Sequence, residues 1–455
     1  MISRLKSLTL DQAVLGLVLF LIILVALVLL AGTQAGILVN TDLTRTDQGP
    51  FEAITLTFSV PVNDSEVEAR FLLDPQAEGR FEWLDSQTLR FIPAGLQPAT
   101  HYRLTLGSGI IGANNESMRR ARHWSFQTRA PLIAYINSSN GKNELWVTGM
   151  DGKQPHRLVN AENAVFNYDI SPDGNFLILS MFNEQNRQDL WRVHRDGRNL
   201  QMILDCNGGN CSTPAISPDG KRVAYSREAP GITPYSSLSA PRIHIFDLTN
   251  GQDRPLFSDS QTIGYGPTWS PNGKWVTSYD GIQDTIRVVN IESGEQVSLS
   301  SSIGSILSWS PDSTQLAFTT VEEGETSLNT VVLLADFSTG EISYLIGKQS
   351  RFDYRYNALA WSPSNEEELI LGLRPDPDNV STGLWLVHPT SLEGRMFAQE
   401  EDYSYNAPLW DPWGKAVVFQ QIQLGAAYQP EIAFWEPGMD TLFVLAEGFS
   451  PRWMP

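Results

Sequence analysis

A short turn motif recurs from about residue 170 to the end of the chain and limits the folds that the sequence can adopt. In most copies an apolar or aromatic residue precedes Ser-Pro, and Asp-Gly or a close variant follows. Proline presets the φ angle of a turn, Asp or Asn bonds to its own backbone, and Gly accepts a positive φ. Each copy therefore predicts the corner of a β-hairpin. The seven copies are Ile170-Ser171-Pro172-Asp173-Gly174, Ile216-Ser217-Pro218-Asp219-Gly220, Trp269-Ser270-Pro271-Asn272-Gly273, Trp309-Ser310-Pro311-Asp312-Ser313, Trp361-Ser362-Pro363-Ser364-Asn365, Trp410-Asp411-Pro412-Trp413-Gly414 and Phe449-Ser450-Pro451.

The residues between the corners repeat the pattern of four short antiparallel strands. A run of alternating apolar residues follows each corner, then a second run such as Leu190-Trp191-Arg192-Val193, then a polar turn that usually ends in Gly. Four strands in a repeat of about 40 to 50 residues are typical of a β-propeller blade. The motif resembles the TolB-type, WD-like propeller repeats of bacteria, in which the same corner joins the first two strands of each blade. This resemblance covers residues 131–455 and implies a fold without implying a function.

The two ends of this region predict how the propeller closes. Residues 131–159 contain three strand patterns with no corner before them, whereas the last residues contain a corner with no strands after it. Joining the two completes one blade and removes the exposed sheet edges that favour aggregation. The sequence therefore predicts seven blades. Six blades remain the alternative, because related propellers often have six and the copy at Asp411 is weak.

The N-terminal segment has the pattern of a membrane anchor. Residues 1–12 contain Arg4 and Lys6, and residues 13–32 form a run of 20 uncharged residues rich in Leu, Val and Ile. Such a run is long enough to cross a bilayer core of about 30 Å. It exceeds the apolar core of a cleavable signal peptide, although Thr33-Gln34-Ala35 leaves cleavage as an alternative. The basic tail predicts a cytoplasmic tail over residues 1–12 and an extracytoplasmic location for the rest of the chain.

Residues 33–49 are predicted to be a linker, and residues 50–130 a small β-sandwich. Ile54, Leu56 and Phe58 alternate with polar residues, as they do in a half-buried strand. Tyr102 follows a turn at the start of another strand, which is similar to the tyrosine corner of immunoglobulin-like domains. This part resembles the bacterial immunoglobulin-like domains of envelope proteins. The predicted fold class is thus all-β, with a propeller, a preceding immunoglobulin-like sandwich and one N-terminal transmembrane helix.

Composition agrees with an exported protein and argues against nucleic acid as a partner. The formal net charge is −19, from 51 acidic and 32 basic residues, and a field of that sign repels phosphate backbones. The only cysteines, Cys206 and Cys211, flank a four-residue stretch between two blades. In an oxidising compartment we expect them to form a disulfide, because the chain offers no further ligands in the spacing of a zinc site. No metal or cofactor is predicted.

The sequence contains no catalytic motif, and it therefore directs attention to a surface. It has no nucleophile elbow, no Walker loop, no dinucleotide fingerprint and no His-Glu-x-x-His. In a propeller, the loops between blades and those between the second and third strands share one face. Aromatic residues in such loops suit glycan or protein binding, although they could equally pack beneath neighbouring blades. The candidate ligand-contacting residues are Tyr265, Phe352, Tyr354, Tyr356, Tyr403 and Tyr405.

Two classes of function remain open at this stage. The first is a membrane-anchored scaffold whose propeller face binds an envelope protein, peptide or glycan, and TolB-like propellers commonly act as interaction platforms. The second is an extracellular enzyme that cleaves polysaccharide or peptide with carboxylates in the central channel. The enzyme requires several carboxylates that converge there with displaced pKa values. We favour the binding protein.

Overall fold

The computed structural model describes residues 10–32, 36–138, 141–159, 162–231, 233, 236–259, 261–304, 306–323, 328–346, 358–374, 381–391 and 393–455. In the first of these ranges the side chains are described for residues 14–26, and in the range 328–346 they are described from residue 330 onward. Two compact units result, one containing Glu52–Thr128 and the other Gly49–Phe51 with Arg129–Pro455.

One long helix, α1 (Leu10–Gly32), lies near the N-terminus. In the part of the chain whose side chains are placed, no helix combines the length and the apolar character that crossing a membrane needs. The membrane-spanning segment at residues 13–32 therefore stays a prediction.

Two sheets and a short helix form the first unit. One sheet has the strand order β1-β2-β5-β4 and the other β3-β6-β7. Ile54, Leu56 and Phe58 of β2 point into the core between them and are at most 2% exposed, as their alternation predicts. The elements are β1 (Val39–Thr41), β2 (Ile54–Phe58), α2 (Asp64–Glu68), β3 (Phe71–Asp74), β4 (Gly79–Asp85), β5 (Thr88–Pro93), β6 (His101–Leu106) and β7 (Arg122–Gln127).

The tyrosine corner is present, whereas part of the expected linker is a strand. The hydroxyl of Tyr102 accepts a hydrogen bond from the backbone N–H of Gln97 at 2.9 Å, and its ring stacks on Phe126. Residues 33–49 were expected to form a linker, but Val39 in β1 pairs with Phe58 in β2. A strand of three residues is too short to show a period in the sequence, which is why the pattern missed it.

The second unit consists of antiparallel sheets of four strands. A single parallel pair, Gln188 with Asn210, joins two of these groups into one larger sheet. The strands in chain order are β8 (Leu132–Asn137), β9 (Glu144–Gly149), β10 (His156–Arg157), β11 (Val165–Ile170), β12 (Phe176–Phe182), β13 (Gln188–His194), β14 (Gln201–Leu204), β15 (Asn210–Ile216), β16 (Arg222–Glu228), β17 (Arg242–Asp247), β18 (Asp253–Pro255), β19 (Tyr265–Trp269), β20 (Trp275–Asp280), β21 (Thr285–Asn290), β22 (Gln296–Ser300), β23 (Leu307–Trp309), β24 (Gln315–Glu323), β25 (Leu328–Asp336), β26 (Ile342–Ile346), β27 (Ala358–Trp361), β28 (Leu369–Leu373), β29 (Gly383–Val387), β30 (Gly394–Ala398), β31 (Tyr403–Trp410), β32 (Val417–Gln423), β33 (Pro430–Trp435), β34 (Phe443–Glu447) and β35 (Phe449–Met454).

The four-stranded groups follow the chain in a simple order. They are β11 to β14, β15 to β18, β19 to β22, β23 to β26, β27 to β30 and β31 to β34, together with β35-β8-β9-β10. Apolar residues on the faces of consecutive sheets pack against each other, as Tyr168 of β11 packs with Leu177 of β12 and Ala134 of β8. The hydrophobic core of this unit therefore lies between the sheets.

The Ser-Pro corners connect the first two strands of a group, as predicted. In the second copy the Ser217 hydroxyl donates to the Asp219 carboxylate and accepts the backbone N–H of Arg222 at 2.9 Å. Gly220 has a φ of 69°, which residues other than Gly rarely adopt. The serine side chain thus bonds across the turn and closes the hairpin.

The last strand pairs with the first, which confirms the predicted meeting of the two ends. Arg452 lies opposite Ala134 and Trp453 opposite Ile133 in the β35–β8 pair. The prediction of a seventh corner at Phe449-Ser450-Pro451 is wrong, because these residues lie inside β35. Ser450 has a φ of 53° at a register shift of this strand, so its Ser-Pro forms a β-bulge.

Candidate ligand-binding site

The order of the strands separates two ends of each sheet. The Ser-Pro corners lie at one end, because they join the first and second strands. The connections between the second and third strands and those between sheets lie at the opposite end, since the strands are antiparallel. We call this second end the loop face. Binding sites of proteins are frequently built from loops that a rigid scaffold positions.

Exposed apolar side chains collect at the loop face. Phe166 and Tyr265 lie at the start of β11 and β19, which are the first and innermost strands of their sheets, and they are 37% and 43% exposed. Ile282 and Tyr428 lie in loops between second and third strands and are 79% and 70% exposed. The other exposed large apolar residues of this unit, within the described part, lie on the outermost strands β14, β26 and β34. The sequence pattern predicted Tyr265 but not the other three residues, although their positions beside predicted strand ends were a signal.

The structure separates the predicted contact residues. Burial raises the pKa of Tyr265, the Glu228 carboxylate adds to this rise, and a hydrogen bond with Ser212 opposes it. Tyr403 is partly buried and stacks on Tyr405 with 6.3 Å between ring centroids.

Tyr405 itself is 1% exposed and packs edge-on against Phe419, and burial raises the pKa of its hydroxyl. Its side chain therefore supports the sheet and does not reach the surface. Phe352, Tyr354 and Tyr356 lie outside the described residues.

A channel-like cavity of about 530 Å³ lies where four innermost strands meet. Its wall includes Asn167 and Asp169 of β11, Thr213 of β15, and Arg452 of β35. A guanidinium nitrogen of Arg452 lies 3.4 Å from a carboxylate oxygen of Asp169, so an ion pair connects two neighbouring sheets at the wall. We call this cavity the central channel.

Side chains bond the innermost strands to one another around the channel. The Asp169 carboxylate accepts the backbone N–H of Ile216 at 2.7 Å, and the Ser308 hydroxyl accepts that of Trp361 at 2.9 Å. The two donors occupy equivalent positions in different sheets. Ile216 ends β15 and Trp361 ends β27, and each comes directly before a Ser-Pro corner. Unpaired N–H groups at a sheet edge are thereby satisfied.

Indole groups provide a second type of link between sheets. Trp269 and Trp410 end the innermost strands β19 and β31, and Trp453 is the last residue but one of β35. Their N–H groups donate to the carbonyls of Ala215 at 2.9 Å, Ala360 at 3.2 Å and Leu409 at 3.0 Å, which lie in the preceding sheets. The wall of the channel is thus held by bonds that repeat from sheet to sheet, and this predicts a preformed cavity.

The chemistry of the channel is that of a single ion pair. Burial raises the pKa of Asp169, whereas Arg452 and the backbone N–H of Ile216 oppose the rise. Asp169 is the one carboxylate among the described residues that line the cavity. The described residues also contain no group of three or more His, Cys, Asp or Glu that could hold a metal ion.

Cys206 and Cys211 form the predicted disulfide, with 6.1 Å between their Cα atoms. They lie in and beside the connection from β14 to β15, which belongs to the loop face. The backbone N–H of Cys206 donates to the Asp189 carboxylate at 2.8 Å. The disulfide therefore fixes one inter-sheet loop at the end of the sheets where the exposed aromatic residues collect.

Comparison with known proteins agrees with both units. Residues 39–128 match the bacterial Ig-like domain family. Over 169 residues the chain is 30% identical to the protein TolB homolog of Chlorobium luteolum, a match that covers 36% of this chain and 35% of that protein. The chain joins a bacterial immunoglobulin-like domain to a TolB-type β-propeller. The resemblance that the motifs predicted is thereby confirmed.

The chain also resembles an enzyme over part of its length. The chain is 28% identical over 149 residues to dipeptidyl-peptidase 5 of Porphyromonas gingivalis, covering 30% of this chain and 21% of that protein. The chain therefore spans 21% of the length of the dipeptidyl-peptidase and 35% of the length of the TolB homolog. Among solved structures, an oligogalacturonate lyase in complex with manganese aligns with a TM-score of 0.51 at 14% identity, over 68% of this chain and 86% of that one. This likeness concerns the fold alone.

Proposed function

We propose that this protein is a membrane-anchored, extracytoplasmic binding protein whose propeller presents its loop face to a protein or glycan of the cell envelope. The observation that carries the proposal is the collection of Phe166, Tyr265, Ile282 and Tyr428 at one end of the sheets. Large apolar side chains are costly to leave in water, and tyrosine is favoured at binding surfaces because it adds a hydroxyl to a large contact area. The TolB homolog among its relatives supports an envelope location.

We further propose that the four-stranded groups form a closed ring of seven blades. The pairing of β35 with β8 supports closure, because it joins the first and last groups of the unit. The links from Trp453 to Leu409 and from Tyr168 to Ser450 connect the closing blade to both of its neighbours. Closure turns the inner edge of every sheet toward the central channel, where another chain cannot easily pair with it.

The anchor in this proposal is α1. The large apolar side chains between Val14 and Val25 are 45% to 75% exposed, and a helix that is apolar on all sides is typical of a lipid environment. Leu21→Arg should release the protein from membranes, since Arg at the centre of a spanning helix costs about 3 kcal/mol. Alkaline extraction of membranes measures this. Leu72→Arg, at a residue of the Ig-like domain that is 62% exposed, is the matched control. Retention of the Leu21→Arg protein in membranes would contradict the anchor.

A binding function fits the channel better than catalysis does. Cleavage of a glycan or peptide by carboxylates needs at least two groups with separate roles, and the described lining offers Asp169 alone. The resemblance to a dipeptidyl-peptidase keeps the enzyme as an alternative to be assayed. Release of dipeptides from unblocked peptides by the purified full chain would favour that alternative.

Site-specific photo-crosslinking tests the binding face in the native envelope. A photoreactive amino acid replaces Tyr265 on the loop face or, as the control, Tyr344 on the outermost strand β26, which is 56% exposed. We expect a discrete adduct from position 265 that unlabelled protein suppresses, and no such adduct from position 344. Equal labelling from both positions would contradict a specific loop-face partner.

A further inference from the structure

A second cavity, of about 390 Å³, opens at the loop face between the first and last sheets of the propeller. Its lining comes from the end of β8, from the loop between β32 and β33, and from the connection between β34 and β35. The wall residues that bear on ligand binding are Asn137, Tyr428, Gln429, Glu447 and Gly448. Its volume falls in the range of about 300 to 1,000 Å³ that is common for small-molecule sites. We call it the closing-blade cavity.

Backbone bonds hold the wall of this cavity in place. The Asn137 side chain donates to the carbonyl of Glu447 at 3.0 Å, and the N–H of Gly448 donates to the carbonyl of Pro430 at 2.7 Å. Gly448 has a φ of 153°, and a Cβ at this position would lie 2.5 Å from the ring of Tyr135. Glycine is therefore required where the connection passes over Tyr135. A wall that is fixed before binding lowers the entropy lost on binding.

The side chains at the rim combine an apolar platform with polar groups. Tyr428 is 70% exposed, so one ring face is open to a ligand. Among the described residues, neither the Tyr428 hydroxyl nor the Gln429 amide makes a hydrogen bond. Glu447 is the single ionisable side chain in the described lining besides the Tyr428 phenol, and no Lys, Arg or His is included. The cavity therefore offers hydrogen bonds and stacking but no cation that would pair with an anionic ligand.

A sugar ring matches this combination. One face of a pyranose is formed by C–H groups that stack on an aromatic ring, while its edge carries hydroxyls that bond to amides and carboxylates. Anionic sugars fit less well, since Glu447 and the overall charge of −19 would repel them. We propose that the closing-blade cavity binds an uncharged oligosaccharide. The ring of Tyr428 stacks on the sugar, and the amide of Gln429 forms hydrogen bonds with the sugar hydroxyls. This rests on the proposed function and specifies its ligand class.

The test uses the full chain in lipid nanodiscs and three uncharged trisaccharides, maltotriose, cellotriose and N,N′,N″-triacetylchitotriose. Isothermal titration calorimetry should show saturable binding of at least one of them. Tyr428→Ala should weaken that affinity about tenfold or more, because the stacking surface is lost. Tyr428→Phe, which keeps the ring, should remain within about threefold of the unaltered protein. Tyr344→Ala, a change of an exposed tyrosine on β26, should have no effect.

Each other outcome overturns this proposal. Absence of binding by all three sugars, equal affinity of the Tyr428→Ala protein, or tighter binding of trigalacturonate than of every neutral sugar would each do so. Binding of peptides alone at this cavity would have the same consequence. These failures are distinguishable from failure of the proposed function, because the crosslink from position 265 reports on loop-face binding independently of any sugar.

Discussion

Asp169 lies at the wall of the central channel, where its carboxylate accepts the N–H of Ile216 and pairs with Arg452. Burial raises the pKa of this carboxyl above its usual value in the unfolded chain. At pH values between the pKa of Asp169 in the unfolded chain and its higher pKa in the folded protein, the folded state holds a proton that the unfolded state has released. The free energy of unfolding therefore falls as pH rises through this window, which begins near the ordinary pKa of about 4.

Asp169→Asn should remove this loss of stability, because asparagine keeps an oxygen acceptor for Ile216 and carries no charge. The measured quantity is the melting temperature of the variant minus that of the unaltered protein. We expect this difference to be larger at pH 7 than at pH 4. Thermal unfolding followed by circular dichroism at both pH values measures the difference. Asp196→Asn is the control: hydrogen bonding by the backbone N–H of Arg198 lowers the pKa of Asp196, so this variant should not gain stability at pH 7. A pH-independent difference for Asp169→Asn would contradict the argument.

At the scale of single elements, the Ser-Pro corners differ in what their serine hydroxyl bonds to. In the copy at Ser217 that hydroxyl bonds both Asp219 and the N–H of Arg222. In the copy at Ser362 the residue two positions later is Ser364 instead of Asp, and the hairpin closes one residue further on, at Glu368. The Ser362 hydroxyl is buried and has no hydrogen-bond partner in the described part of the chain. Two copies of one motif thus differ in whether the serine contributes to stability.

Ser217→Ala should lower the free energy of unfolding of the propeller by about 1 to 3 kcal/mol, because it leaves the N–H of Arg222 without its acceptor. Ser362→Ala is the matched control and should cost close to nothing, since no bond is lost. Urea unfolding followed by tryptophan fluorescence compares the midpoints. Equal shifts for the two variants would show that the hydroxyl bond is not the source of the effect.

The disulfide is a second element that can be tested alone. Cys206 and Cys211 close a short loop, and the chain-entropy estimate for a loop of this size is about 2 kcal/mol. Cys206→Ser combined with Cys211→Ser should lower the urea midpoint accordingly and remove its sensitivity to dithiothreitol. A reductant effect of equal size in the double variant would mean that the disulfide is not its cause.

The elements also show how far the sequence predicts the fold. Corners and alternating strands were predictable because their local chemistry repeats. Ser450-Pro451 was misinterpreted as a corner because the innermost strands carry bulges in which Pro follows a residue of positive φ, as at Thr213-Pro214 and Ala407-Pro408. That pattern competes with the corner pattern and is recognised only once the strand register is known.

The candidate site was harder to predict than the fold. Both Tyr403 and Tyr405 belong to β31, yet Tyr405 is buried and Tyr403 is partly exposed. Residues two apart point to the same face of a strand, so the two rings differ in their place along β31: Tyr403 begins the strand at the loop face, and Tyr405 lies further inside. Sequence alternation does not show how far along a strand the cover of the neighbouring sheet extends. Tyr428 was missed because exposure of a loop residue depends on the sheets around it.

At the scale of the whole molecule, residues distant in the sequence hold the closing sheet. The Arg129 guanidinium is buried and donates to the carbonyl of Pro455 at 3.1 Å and to the side chain of Asn175 at 2.9 Å. Arg195 donates to the same carbonyl at 2.8 Å. These bonds connect the residue after β35 with the corner between β11 and β12, so they join the closing sheet to the next one along the chain.

Arg129→Ala should therefore loosen the closing sheet before it affects the others. Hydrogen bonds from charged donors contribute about 1.5 to 3 kcal/mol each, and their loss leaves buried acceptors unsatisfied. We expect faster amide hydrogen exchange in β35 and β8, measured by mass spectrometry on the full chain, with little change in β19 to β22. Arg198→Ala is the control, because that side chain is 82% exposed and pairs only with Asp196 among the described residues. Uniform acceleration in all sheets of the Arg129→Ala protein would mean that the ring unfolds as one unit and that closure is not a separate step.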